Sequence, residues 1–402
     1  MHVSGHIRKR DRKNGKPSYQ IIIELPPDPV TGHRIRKYKT IIGNKKQAEI
    51  VKRKMMDEIE NHVYIEDNNI TVSEWIKQWF ELYLKDLSPT TLNGYSYQIK
   101  HYILNQDIGK IKLQDLTTSA VQAWINTLSE NSPVSNKPMS AKTVKNIYHN
   151  LCAAIEKAVA LELVKKNVCK NVSLPKIKKH IATVYDEKEV SELLYAANGT
   201  DMELPIMIAV NLGLRRGELL ALKWKHIDFE HNSISIEENL VEVNSTVSPD
   251  RILTKSPKSQ SGQRVIPISS FLSDYLKKAY KDYMLQKMKM GTSFHDNGYV
   301  IHQENGNPYK PNSFSSKFND FLKANNLKHI RFHDLRHTNA TLMLTQGISP
   351  KVAQMRLGHS DFSTTMNTYS HVLESVETNA AERIENAIFS NIMNLERRHS
   401  NV

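Results

Sequence analysis

Three short patterns in the second half of the chain bring together side chains that could hold and attack a phosphate ester. Gly213-Leu214-Arg215-Arg216-Gly217-Glu218-Leu219-Leu220 comes first, and His333-Asp334-Leu335-Arg336-His337-Thr338 second. The third is Leu357-Gly358-His359, followed ten residues later by Tyr369-Ser370-His371. Taken singly, each is ordinary. An arginine near a helix start is usually an ion-pair residue, a lone tyrosine usually packs, and His-x-x-Arg merely puts two side chains on one helical face.

Taken together, they supply the parts of a transesterification at phosphorus. The attacked phosphate is anionic, and its charge rises in the transition state. Arginine offers a planar, permanently charged fork that matches two phosphate oxygens. Arg215 and Arg336 could therefore clamp the group and stabilise the developing charge. A phenol, with a pKa of about 10, is a weak nucleophile until its proton is drawn off. Histidine accepts such a proton near neutral pH. The departing 5′ oxygen needs a proton in return, which a lysine can give when neighbouring arginines lower its pKa.

The elements that must position these groups fall into three segments. The chain has 402 residues, room for two or three domains, and a net charge of +13. Residues 1–54 hold 15 Lys and Arg against four acids, so this segment alone carries +11. Charge gathered in one place predicts a polyanionic partner. Residues 1–65 read as a small sheet and a helix. Tyr19, Ile21 and Ile23 share one side of a strand, and Pro26-Pro27-Asp28-Pro29 with Thr31-Gly32 turns the chain. Arg34, Arg36, Tyr38 and Thr40 alternate with Ile35, Lys37, Lys39 and Ile41 on a returning strand, and Ala48 to Asn61 reads as a charged helix. A basic ribbon of this size fits the major groove of DNA.

Residues 66–70 read as a hinge and residues 70–173 as a helical bundle. Thr71 and Glu74 have capping-box spacing, and Ser88-Pro89 offers an N-cap followed by proline. Ser119 to Leu128 forms a third helix. Ser140 opens a fourth, with Val144, Ile147, Leu151, Ala154, Ile155 and Ala158 on one face. The basic stretch Lys165 to His180, broken by Pro175, reads as an interdomain linker. Residues 180–402 read as mixed and mostly helical. Strands are expected at Ser233–Ile236 and Arg264–Pro267, with a polar turn from Lys255 to Gln263 between them. Ala380, Ile384, Ala387, Ile388, Ile392 and Leu395 recur at helical spacing in a tail over 376–397.

The expected fold class is thus multidomain and mainly α, with small β-sheets. No stretch approaches the roughly 18 apolar residues of a membrane span, and the first residues lack the apolar region of a secretory signal. Cys152 and Cys169 are too few for a four-thiolate metal cluster and are expected to be reduced thiols. A cytoplasmic location is expected.

The combined patterns resemble the tyrosine recombinase family, in particular the phage and conjugative-transposon integrases. There a Gly-Leu-Arg-x-x-Glu box, a His-x-x-Arg box, a Leu-Gly-His box and a downstream tyrosine follow one another in this order. The resemblance covers the whole chain. It implies an arm-type DNA-binding domain at 1–65 (a three-stranded sheet plus helix), a helical SAM-like core-binding domain at 70–173, and a catalytic domain with a tail helix at 180–402. It implies that Arg215 and Arg336 bind the phosphate, and that Tyr369 is the nucleophile that forms a 3′-phosphotyrosyl link. By the same resemblance His333 takes part in proton transfer, His359 hydrogen-bonds the phosphate, and Glu218 supports the arrangement. The family's catalytic lysine lies in a β-hairpin. Lys258 and Lys255 are both candidates here, with Lys258 favoured because Pro257-Lys258-Ser259 before Ser261-Gly262-Gln263-Arg264 resembles the family turn. The resemblance implies that the tail packs on a neighbouring protomer, with packing on its own domain as the alternative.

The activity so implied is integration and excision of a mobile element or prophage through a Holliday junction, with no metal and no cofactor. The implied partners are core and arm sites on double-stranded DNA and three further copies of the chain, with an excisionase and a DNA-bending protein as additional candidates and no membrane. Bound to DNA, the protein would lie with the nucleoid of a bacterial cell. Three rivals share parts of this pattern. A type IB topoisomerase uses similar chemistry without a partner duplex, but the basic N-terminal segment and the Leu-Gly-His box favour the integrase. A Xer-like resolvase is usually shorter and lacks the basic arm. A non-enzymatic DNA-binding relative would have lost a catalytic residue, and no assigned position is lost.

Overall fold

The alternation in the basic N-terminal segment folds into a sheet with one dry face. The computed structural model describes residues 3–10, 17–27, 31–61, 64–177, 183–243, 251–256 and 262–358, together with 385, 388 and 389. The chain divides into two units, residues 1–178 and 179–402. In the first unit, β1 (Ser4–Arg10), β2 (Ser18–Glu24) and β3 (Arg36–Ile42) pair antiparallel in that order. Ile21 and Ile23 turn inward and pack, fully buried, with Met55 and Ile59 of α1 (Lys45–Glu60). The register sets Ile22 between His6 and Tyr38, and Gln20 between Arg8 and Thr40, so these residues share the opposite face. Helix α1 starts three residues earlier than the apolar pattern suggests. Asn44 caps it, accepting from Gln47 N at 2.9 Å while the Gln47 side chain returns to Asn44 N at 2.9 Å.

The bundle follows as α2 (Val72–Tyr83), α3 (Pro89–Ile99), α4 (Asp107–Lys110), α5 (Thr118–Glu130) and α6 (Ala141–Ala160). A π-helical turn, Lys100–Leu104, extends α3. The predicted caps are present: Thr71 with Glu74, Ser88, whose side chain accepts from Thr91 N ahead of Pro89, and Ser140, whose side chain accepts from Thr143 N at the head of α6. The aromatics are core. Trp75 donates to Ala154 O at 2.8 Å across to α6, and Trp124 donates to Tyr102 O at 3.1 Å, so each buried indole N–H is satisfied. The segment expected to be a linker begins later than its lysines suggest. Val168–Asn171 forms a 3-10 turn with Cys169 wholly buried, Tyr148 donates to Cys169 O at 2.8 Å, and Lys170 pairs with Glu156. Burial of one small side chain keeps this basic stretch on the bundle.

The second unit contains α7 (Glu187–Ala197), α8 (Glu203–Leu212), α9 (Arg216–Ala221), β4 (Ile227–Asp228), β5 (Ser233–Ile236), β6 (Asn239–Glu242), β7 (Ile252–Lys255), β8 (Arg264–Pro267), α10 (Ser270–Met290), α11 (Pro311–Ala324), α12 (Asp334–Thr345) and α13 (Pro350–Leu357). Strands β5 and β8 are those expected, and they pair within an antiparallel sheet of order β4-β5-β8. Strands β6 and β7 form a separate antiparallel pair that the sequence reading did not foresee. Lys255, expected in a polar turn, instead ends β7 opposite Asn239. Phe314 and Phe318 of α11 meet Phe332 edge-on at 4.8 and 5.1 Å in the core. The expected tail helix lies outside the described residues, except for Glu385, Ile388 and Phe389, which are helical and exposed. Among the described residues no helix is long and apolar enough to cross a membrane.

Candidate active site

Arg215 is held by an apolar helix that ends abruptly. Helix α8 buries Pro205, Ile206, Ile208, Ala209, Val210 and Leu212 in the core of its unit and stops at Gly213, which has φ +60°. An added Cβ there would lie 2.5 Å from Leu357 Cδ2 and 2.6 Å from Asn339 Oδ1, so glycine is required by both space and backbone. Two residues later Arg215 heads α9. Glu218, in the first turn of α9, reaches back to accept from Arg215 N at 3.0 Å and from Arg215 Nη1 at 2.6 Å. Glu218 is only 3% exposed. Burial works to raise its pKa, but the Arg264 hydrogen bond and the charges of Arg264 and Arg215 hold it below the usual carboxylate value.

Arg336 comes from α12, which is lashed to α8 by side-chain bonds. Asn339 Nδ2 donates to Val210 O at 2.7 Å and Asn211 O at 3.2 Å, taking up carbonyls left open at the end of α8. Thr338 accepts from Tyr185 N at 3.1 Å. The buried Asp334 carboxylate accepts from Arg331 N, Nε and Nη2 at 2.9, 2.9 and 2.7 Å, which fixes the turn that presents His333. On this scaffold Arg336 is 2% exposed. A buried charge is tolerated only when hydrogen-bonded, and Arg336 donates to Gly213 O at 2.8 Å and Leu357 O at 2.7 Å. Arg215 Nη2 donates to the next carbonyl, Gly358 O, at 2.9 Å. The two guanidinium groups therefore converge on one turn, the one that leads directly into His359.

His333 stands at the head of α12 and is exposed. Close packing, the neighbouring His337 and the Arg336 guanidinium push its pKa down to about 4, and Arg215 contributes in the same direction. The two imidazoles meet edge to face at 5.5 Å. At neutral pH the His333 ring is thus uncharged and able to take a proton.

The structure brings Arg215, Glu218, His333 and Arg336 together, whereas Lys258, His359 and Tyr369 lie outside the described residues. Lys255 is within them, with its Nζ buried. Its strand pairs with β6, which sits directly on α9: a Cβ at Gly217 would fall 2.6 Å from Leu240 O. The sequence reading passed over Arg264. Arg264 donates from Nη2 to Glu218 Oε2 at 2.9 Å and from Nε to Arg356 O at 2.7 Å. Its one visible signal was its place at the end of the Ser261-Gly262-Gln263 turn. Chemically, the assembly offers two cations and a neutral imidazole to an anionic tetrahedral group. Among the described residues no cluster of three or more His, Cys, Asp or Glu could hold a metal ion.

The chain is similar to several known proteins. Residues 183–375 match the model of the phage integrase family, and residues 71–129 match the N-terminal SAM-like domain of phage integrases. A protein described as tyrosine recombinase XerC-like, from Caldanaerobacter subterraneus subsp. tengcongensis, is 29% identical over 390 residues, which cover 92% of this chain and 97% of that protein. The integrase of transposon Tn1549, solved with a circular-intermediate DNA, shares the fold with a TM-score of 0.66 at 22% identity, over 78% of this chain and 99% of that one. A lambda integrase tetramer bound to a Holliday junction gives a TM-score of 0.57 at 20% identity, over 89% of this chain and 94% of that one.

Proposed function

Because the chain belongs to the phage integrase family of tyrosine recombinases, we propose that its arginine pair holds a DNA phosphodiester for attack by Tyr369. The protein is a site-specific DNA recombinase. The observation that carries the assignment of the site is the convergence of Arg215 and Arg336 on the carbonyls of Gly358 and Leu357, the turn just before His359. In the proposed mechanism these guanidiniums neutralise the phosphate as its charge grows. Neutral His333 receives the phenol proton, His359 hydrogen-bonds a phosphate oxygen, and Lys258 protonates the departing 5′ oxygen. The phosphate stays as a 3′-phosphotyrosyl ester, so a 5′-hydroxyl of a partner duplex can reverse the step without an energy source. Two such exchanges pass through a Holliday junction.

Four copies on two DNA sites are proposed, with residues 180–402 and 70–173 clamping the core site and residues 1–65 gripping arm sites. The exposed sheet face with Arg8, Gln20, Tyr38 and Thr40 supports the last assignment. An excisionase and a DNA-bending protein are proposed as further partners on the arm DNA, in the bacterial cytoplasm. The test is covalent trapping on a nicked suicide substrate made from the element ends. The unsubstituted protein is expected to leave an adduct that maps to Tyr369, and Tyr369→Phe to bind DNA without one. An adduct of normal yield from Tyr369→Phe would remove the phenol from the mechanism.

A further inference from the structure

One guanidinium ties together three segments of the site. Arg264, the first residue of β8, has a side chain only 8% exposed. Its Nη2 donates to Glu218 Oε2 at 2.9 Å, and its Nη1 donates to Gly262 O at 3.1 Å and reaches Glu218 Oε1 at 3.4 Å. Its Nε donates to Arg356 O at 2.7 Å, in the last turn of α13. The next two carbonyls along the chain, Leu357 O and Gly358 O, are the acceptors for Arg336 and Arg215.

Two consequences follow from charge and geometry. A buried carboxylate facing a single guanidinium makes a neutral unit. Glu218 faces two, Arg215 and Arg264, so the trio keeps a net positive charge that an incoming phosphate can feel. Without Arg264, the carboxylate would cancel Arg215 alone. The Nε bond also pins the end of α13, whose carbonyls aim both phosphate-binding arginines. Lysine could replace the charge but could not span Glu218, Gly262 and Arg356 with one planar group.

We propose that Arg264 is a positioning residue for strand cleavage, which offsets the Glu218 charge so that the Arg215 side keeps a net positive charge towards the phosphate, and which fixes the α13 turn that orients Arg215 and Arg336. The proposal rests on the recombinase reading above. Its test compares Arg264→Gln and Arg264→Lys with the unsubstituted full-length protein in single-turnover adduct formation, beside core-site affinity by gel shift and thermal midpoints. Two suicide substrates are used, one with a normal scissile phosphodiester and one with a neutral methylphosphonate there.

Arg264→Gln is expected to bind the core site like the unsubstituted protein and to cleave the phosphodiester about 10²-fold more slowly, as a misplaced catalytic group does. On the methylphosphonate, which develops less charge for the arginines to stabilise, the loss should shrink to roughly tenfold or less. Arg264→Lys should show a smaller loss with the same dependence on substrate, and it carries the test if Arg264→Gln does not fold. Unchanged cleavage of the phosphodiester, or equal losses on both substrates, overturns the proposal, since a merely structural role does not distinguish the two. Failure of the unsubstituted protein to form any adduct would overturn the recombinase reading, and this proposal with it.

Discussion

Arg336 donates to the carbonyl of Gly213 at 2.8 Å, so the second arginine of the site is anchored to the loop that carries the first. A separation of 123 positions, from Gly213 to Arg336, is thereby closed by one hydrogen bond. The bond joins the two proposed phosphate-binding groups mechanically, and a change at either end should be felt at the other.

Gly213→Ala should damage the site from its loop. The new methyl would meet Leu357 and Asn339 side-chain atoms at 2.5 and 2.6 Å, in a left-handed backbone conformation. A loss of about 1–3 kcal/mol of stability is expected from the backbone strain, with cleavage reduced beyond what unfolding explains. Urea midpoints and adduct yield at a temperature well below the transition measure the two effects separately. A variant with wild-type midpoint and yield would show that the loop relaxes freely.

Arg336→Gln removes a buried charge and its bonds to Gly213 O and Leu357 O. Cleavage is expected to fall about 10²–10³-fold, the usual effect of removing one donor to a developing anion. Stability should fall by about 1–3 kcal/mol because buried carbonyls lose a partner. Single-turnover kinetics with denaturant titration checks both figures.

The pH dependence follows from His333. Its pKa of about 4 in the folded protein lies below the value of about 6.5 expected in the unfolded chain. The unfolded chain therefore binds the proton first. The stabilisation linked to the neutral ring is complete above pH of about 6.5 and is lost as pH falls towards about 4. His333→Gln should show a shallower fall in thermal midpoint across that window. A bound phosphate would raise the ring's pKa, so DNA binding should take up protons there. Calorimetry in two buffers of different ionisation heat detects the uptake, and its absence would separate His333 from the phosphate.

The general acid can be identified by chemistry. Lys258→Ala is expected to cleave slowly and to recover when the leaving 5′ oxygen is replaced by sulfur, which needs no proton. Lys255→Ala should show no such recovery. The reverse pattern would move the role to Lys255, whose strand lies against the partner of α9.

The N-terminal sheet should act as a separate handle on DNA. Arg8→Ala and Tyr38→Ala change side chains on its open face, where Tyr38 is 55% exposed. Both are expected to weaken arm-site binding and to spare core-site cleavage, and Arg8→Ala should reduce the salt slope by roughly one ion. Retained arm binding after deletion of residues 1–65 would defeat the assignment.

Much was legible in sequence because it is local. Caps at Thr71, Ser88 and Ser140 sit beside the helices they begin, and the alternation around Ile21 and Ile23 is a period of two within one strand. Arg215 with Glu218, and His333 with Arg336, are readable as candidate chemistry at fixed short spacing. The early start of α1, the buried Cys169 that shortens the linker, and the β6–β7 pair were not, because each depends on a partner elsewhere or on a pattern too short to register.

The sequence by itself determined which groups the chain offers for the proposed work on a phosphate, and the order in which it presents them. Only the tertiary structure decided that Arg215 and Arg336 aim at consecutive carbonyls, and that Arg264 shares Glu218 with Arg215. Hydrogen bonds between residues 21 to 143 positions apart leave no periodicity in a chain. They arise when buried polar groups, denied water, must find partners among whatever the packed helices bring near.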